Sequence, residues 1–171
     1  MFLRKTIAVL ATTAALSTGL LVGTAQAAVT LTYNSSGAGQ FQAAVDKGAA
    51  VWNASVTNVK LQKTTGRANI TVTWDTGWPR AYVSSLGRGR WVMGTQAVNE
   101  GHDVVRISSH EFGHLLGLPD RRTGLCTDLM SGASAGTSCK NPNPNAKEKA
   151  EVEANFRQQV TVKAETFVDA A

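Results

Sequence analysis

His110, Glu111 and His114 stand in a run whose spacing suits one kind of chemistry. Histidines four apart project from the same face of a helix. Two neutral imidazoles on one face, with a carboxylate beside them, make half of a catalytic zinc site. The run continues through Gly117, Leu118, Pro119 and Asp120. A chain reversal at Gly117 would swing Asp120 back to the same ion as a third ligand. Three protein ligands leave one position for water, which separates a catalytic zinc site from a closed structural one. Glu111 is too close in sequence to His110 to share its geometry, so it should contact the water and not the metal. Its work would be to take a proton from the attacking water and pass it to a leaving amine. Zinc would acidify that water and polarise the substrate carbonyl.

Some assignments stay open at this point. Asp120 also reads as a turn carboxylate beside Pro119, which leaves Asp128 as the substitute ligand. His102, the remaining one of three histidines, reads as a loop residue. Met130, in Asp128-Leu129-Met130-Ser131-Gly132, reads as a core methionine before a glycine turn. Beneath a metal site, its thioether would support the imidazoles sterically without binding the ion.

The elements that must position these residues show in the hydrophobic periodicity. Val29, Leu31 and Tyr33 alternate with threonines, which marks a half-buried strand. Asn34 to Gly39 reads as a loop. Phe41, Val45, Ala49 and Trp52 then recur at helical spacing over Gly39–Ser55, with Gly48 admitting a close neighbour. Val59 and Leu61, then Ile70, Val72 and Trp74, suggest two short strands with a turn near Thr65-Gly66. Ala81–Leu86 and Arg90–Met93 suggest two more around Gly87-Arg88-Gly89, suited to an edge strand or the rim of a cleft. Asp103 can cap the metal-site helix, with Val104, Ile107 and Phe112 or Leu115 facing the core. That helix should stop at Gly117, before Pro119. Residues 121–145 read as a long loop, and Ala146–Gln159 as a last helix with Ala150, Val152 or Glu153, Phe156 and Val160 in an imperfect apolar stripe. The tail Thr161–Ala171 alternates like a strand.

Arg4 and Lys5, an apolar run from about Thr6 to Val22, and Ala25-Gln26-Ala27 together read as a secretory signal peptide over residues 1–27. Its removal leaves 144 residues, enough for one domain with a real core, taken as 28–160 followed by the tail 161–171. The full chain carries +5, and the signal segment removes two basic residues and no acidic one, leaving about +3. So mild a charge, with no basic patch interleaved with aromatics, argues against nucleic-acid binding. After signal cleavage nothing reads as a membrane anchor. Cys126 and Cys139, the only cysteines, read as a disulfide in an exported chain. Closing that loop would restrict the unfolded chain by about 3 kcal/mol in an entropy-only account. A two-cysteine pair this far apart is a poor zinc pattern.

Read together, His110-Glu111-x-x-His114-x-x-Gly117-x-x-Asp120 and Leu129-Met130-Ser131-Gly132 resemble the small neutral metalloendopeptidases secreted by Streptomyces. This is the snapalysin group (peptidase family M7) of the metzincins. Most metzincins carry histidine where Asp120 stands, and aspartate selects this group. The resemblance extends over nearly all of residues 29–160. It implies an α+β, single-domain zinc protease with a twisted mixed sheet, an active-site helix, a methionine turn at Met130 and a C-terminal helix. It implies a monomer that cleaves polypeptides, with a bias toward an aromatic residue just after the cut, and that meets a secreted protein inhibitor. Calcium is known in such folds, but no compact acidic loop places a site here. Some relatives carry a tyrosine two positions after the ligand aspartate. Arg122 stands there instead, to serve the same oxyanion or point to solvent. The expected function is a secreted zinc metalloendopeptidase whose extended substrate pairs with the Arg90–Met93 edge. The rivals are a zinc amidase or peptidase confined to cell-wall peptides, and a non-catalytic binding protein that keeps the metal helix as scaffold.

Overall fold

Val29, Leu31 and Tyr33 build the first strand with one buried face, as their alternation with threonines requires. This computed structural model describes residues 27–169, so the segment read as a signal peptide, Ala27 aside, lies outside the described residues. Strand β1 (Val29–Gly37) runs on through residues that read as loop, and the added length pairs with β3 across a register shift between Asn34 and Gly37. The other strands are β2 (Val59–Lys63), β3 (Ile70–Asp75), β4 (Arg80–Ser85), β5 (Arg88–Gly94) and β6 (Glu165–Val168). They form one mixed sheet in the order β2-β1-β3-β5-β4-β6. The first four of that order are mutually parallel, while β4 and then β6 run antiparallel to their neighbours.

Two sequence expectations need correction. The turn near Thr65-Gly66 does not close a hairpin, because β2 and β3 flank β1 on opposite sides. The Arg90–Met93 strand is not an edge. It lies in β5, between β3 and β4, and Trp91, Val92 and Met93 are all buried. An unbroken apolar run of this kind suits a strand covered on both faces. The tail, set apart from the domain on sequence, supplies β6 beyond β4.

The helices are α1 (Gln42–Ser55), the short α2 (Thr95–Asn99), α3 (Val104–Leu115) and α4 (Ala146–Gln158). No helix among the described residues is long and apolar enough to cross a membrane. Helices α1 and α3 cross closely at Gly48, where a Cβ would stand 2.7 Å from Ser108 Cβ. Next to that crossing, Trp52 Nε1 donates to the Ser109 carbonyl at 2.8 Å. Asp103 caps α3 as expected, its side chain accepting from the amides of Val105 and Arg106 at 3.0 and 2.9 Å. From the other face of α3, fully buried Phe112 meets Tyr33 and Trp91 edge-on, each with ring centroids 5.5 Å away. The metal-site helix is therefore fixed to both α1 and the sheet.

The long loop after α3 is held from three directions. Cys126 and Cys139 form the disulfide. Buried Arg106, one turn before His110, donates to the carbonyls of Asp128 at 2.7 Å and Asn141 at 2.6 Å. From α4, Glu148 accepts from the amides of Leu129 and Met130 at 3.2 and 2.8 Å. Its carboxylate also completes a capping box with Asn145 and is fully buried. Glu148→Ala would strand the buried amides of Leu129 and Met130 and the partly buried amide of Asn145. It is expected to lower the unfolding free energy by about 3 kcal/mol. Urea denaturation measures this, and a change near zero would contradict a structural role for Glu148.

Candidate metal centre

His110 and His114 lie on the buried face of α3, one turn apart, with their ring centroids 4.6 Å apart. Each ring is anchored through the nitrogen that faces away from its partner. His110 Nδ1 donates to the Leu129 carbonyl at 3.0 Å, and His114 Nδ1 to the Leu118 carbonyl at 2.9 Å. Carbonyls only accept, so the Nδ1–H tautomer is selected and both Nε2 atoms turn their lone pairs inward. Those two Nε2 atoms stand 3.0 Å apart.

The chain reversal supplies the third group. Gly117 takes φ +91°, its amide bonds to the His114 carbonyl at 2.9 Å, and that of Leu118 bonds to the Gly113 carbonyl at 3.0 Å. Left-handed backbone of this kind favours glycine. Asp120 Oδ1 thereby arrives 3.3 Å from His110 Nε2 and 3.7 Å from His114 Nε2. It is buried and takes no well-aligned hydrogen bond. Asp128 stays out of this cluster, accepting from Thr123 Oγ1 and Asn145 Nδ2 at 2.7 Å each. His110, His114 and Asp120 each offer one donor atom, all within 4.8 Å of one another. Two inward lone pairs and an orphaned carboxylate oxygen fit a bound cation, since buried polar groups without a partner are costly. The cluster is able to coordinate a metal.

Glu111 is fully buried and neither carboxylate oxygen has a hydrogen-bond partner. Burial pushes its carboxyl well above the usual range. Burial and the neighbouring charge of His110 push His114 down to about 3. Burial opposes a charge on His110 too, but Asp169, Asp120 and Glu111 together outweigh it and raise this imidazole to about 9. Burial alone would raise Asp120, yet His110, His114 and Arg122 hold it below its ordinary value. Beyond the two Nδ1 protons, the pair therefore favours one further proton at neutral pH, on His110 Nε2 facing the neutral His114.

Met130 is fully buried under α3, its Sδ 2.6 Å from where a Cβ on Gly113 would stand. His102 sits apart from the ligand cluster, edge-on to Trp78 with ring centroids 6.0 Å apart. Arg122 does not simply point to solvent: Nη2 reaches Asp120 Oδ2 at 3.1 Å and the Val168 carbonyl at 2.9 Å. Three contributors escaped the sequence reading. Arg106 and Glu148 shape the loop that carries Leu129. Asp169, which is buried, lies with His110 and Glu111 in a second group whose donor atoms are within 4.8 Å. Only Glu148 left a local signal, the Asn145-x-x-Glu148 capping pattern.

This architecture has counterparts. An archaemetzincin from Methanopyrus kandleri superposes with a TM-score of 0.50 at 15% identity, over 80% of this chain and 99% of that one. The fold is metzincin-like, as the α+β expectation held. An extracellular small neutral protease of Streptomyces sp. (strain C5) is 43% identical over 129 residues, covering 74% of this chain and 56% of the relative. One from Streptomyces caespitosus is 40% identical over 127 residues, covering 74% of this chain and 96% of the relative. The chain thus spans little more than half the length of the strain C5 and Streptomyces lividans relatives, and nearly all of the Streptomyces caespitosus one. Residues 28–158 match a family model that includes the metal-site helix, the reversal to Asp120 and the Met130 turn, and on that match the chain belongs to the Streptomyces extracellular neutral proteinase (M7) family.

Proposed function

We propose that this protein is a secreted zinc metalloendopeptidase in which His110, His114 and Asp120 hold the ion and Glu111 is the general base. The observation that carries this reading is the pair of inward Nε2 atoms 3.0 Å apart beside Asp120 Oδ1 and the buried Glu111 carboxylate, none of whose three oxygens has a hydrogen-bond partner. Soft thiolates are absent from this donor set, and imidazole with one carboxylate suits zinc. The names of the Streptomyces relatives support both the protease activity and the extracellular location.

Zinc, when bound, supplies a Lewis acid that acidifies water and stabilises charge on a carbonyl oxygen. The chain's own residues do the rest. Burial makes the ionised Glu111 carboxylate a stronger base, and a cation beside it would favour that ionised form, so it can accept a proton from the attacking water and deliver it to the leaving amine. An extended polypeptide would pair by its backbone with the outer side of β4, not with β5, along the row of backbone groups that β6 takes up here. A preference for an aromatic residue after the scissile bond belongs to the same proposal. An amidase confined to cell-wall peptides is the second reading, since Glu111 would serve either amide.

Chelation followed by zinc readdition, assayed on an unfolded protein with the cut sites read by mass spectrometry, should abolish and then restore cleavage. Activity on cell-wall peptides alone would favour the amidase. Glu111→Gln should keep its zinc but lose about 10²–10⁴-fold in rate; comparable turnover by the purified variant would remove Glu111 from the base role. Asp120→Ala should weaken zinc binding by at least about 100-fold, while unchanged affinity in a competition titration would exclude Asp120 as a ligand. Zinc must also displace the proton held on His110, whose raised value of about 9 lies above neutral pH. Protonation therefore competes with the metal below that value, and affinity should rise as pH rises toward it. Calorimetry in buffers of different ionisation enthalpy should show about one proton released at pH 7. No proton release would contradict the shared-proton description.

A further inference from the structure

The family match ends at residue 158, and β6 lies beyond it. This strand nonetheless reaches the centre. It pairs antiparallel with β4, placing Arg80 opposite Val168, Ala81 opposite Phe167, Tyr82 opposite Thr166 and Val83 opposite Glu165. An extended substrate adding to the sheet would need the same row of β4 backbone groups.

The side chains of this segment close on the cluster. Phe167 stacks flat on His114, with ring centroids 4.0 Å apart and planes 8° from parallel. Asp169 follows, only 4% exposed. Its amide bonds to the Pro79 carbonyl at 3.0 Å, and its Oδ1 accepts from the Ala133 amide at 3.1 Å. A Cβ on Gly132 would stand 2.3 Å from that Oδ1, so the methionine turn leaves room for this carboxylate only because glycine is there. Arg122 spans the two parts, bonding Asp120 on one side and the Val168 carbonyl on the other.

We propose that residues 165–169 are an intramolecular occupant of the substrate edge, and that a polypeptide reaches the centre only when this strap is displaced. The proposal rests on the peptidase reading for its consequence, but its geometry does not. The strap is built to leave. Its strand is four residues long, three of them exposed, and residues 161–164 before it have no regular structure. Tethering gives it an effective concentration of order millimolar, so it competes well with dilute substrate while making few contacts.

Two versions of the zinc-loaded full chain test this. One carries Phe167→Ala with Asp169→Asn. The other has a site-specific protease sequence inserted between Lys163 and Ala164, where both residues are exposed, and is cut after folding. A fluorescent peptide of residues 163–169 is the binding probe, used in a Glu111→Gln background so that it is not hydrolysed. Anisotropy should show it binding the double variant at least tenfold more tightly than the chain with its own strap intact. With Glu111 present, the chain cut after residue 163, which keeps every side chain of the centre, should cleave a quenched peptide with apparent KM at least tenfold lower than the intact chain. Equal probe binding in the intact chain and the double variant, with equal KM in the intact and cut chains, would overturn the proposal. If nothing hydrolyses peptides yet the probe still discriminates, the strap stands and the peptidase reading falls.

Discussion

His110 and His114 owe their chemistry to the ring nitrogens that face away from the centre. Hydrogen bonds from Nδ1 to the Leu129 and Leu118 carbonyls fix the tautomer and aim both Nε2 lone pairs at one point. Each carbonyl is itself held. Leu118 is set by the left-handed turn at Gly117 and its bond back to Gly113. The segment around Leu129 is clamped between Arg106 on α3 and Glu148 on α4. The same backbone that bends Asp120 toward the histidines therefore also orients one of them. All of this is buried, where such bonds are strong and few alternatives exist. A free imidazole would lose rotamer freedom on meeting an ion, and here that ordering has already been done by folding.

Burial sets the electrostatics as well. A cluster of carboxylates around two imidazoles cannot leave every group in its ordinary state. Here the conflict resolves into one charged and one neutral histidine, an ionised Asp120 and a Glu111 carboxyl pushed toward its protonated form. A divalent ion held by His110, His114 and Asp120 would relieve the same conflict, taking the place of the proton between the rings. On the proposed reading, the same burial that lets Glu111 take up a proton favours a cation beside His110, His114 and Asp120, so general-base chemistry and metal affinity would share one cause.

Much of this was legible in the sequence because it is local. The four-residue spacing of the histidines, the cap at Asp103, the stop at Gly117 and the alternation in β1 and β3 are all properties of short windows. Pairing is not. Nothing within Arg90–Met93 says that β4 will cover it, although its continuous apolar run was a hint of a strand buried on both faces. Glu148 shows as a cap in Asn145-x-x-Glu148, but its bonds to Leu129 and Met130 join residues 18 and 19 positions apart. Arg122 read as a side chain with two fates and turned out to bridge Asp120 to residue 168, a contact across 46 positions. The strand character of the tail was visible, while its register on β4 and the placement of Asp169 beside His110 were not. A bare sheet edge next to a reactive centre is a liability as much as a binding site, and β6 answers both at once.

Zinc-edge X-ray absorption on the metal-reconstituted full chain tests the central claim most directly. The account predicts a low-coordinate shell of two imidazole nitrogens at about 2.0–2.1 Å and carboxylate or water oxygens at about 2.0–2.2 Å, with no sulfur. A shell containing sulfur, or one with a single imidazole, would contradict the placement of His110, His114 and Asp120 around one ion.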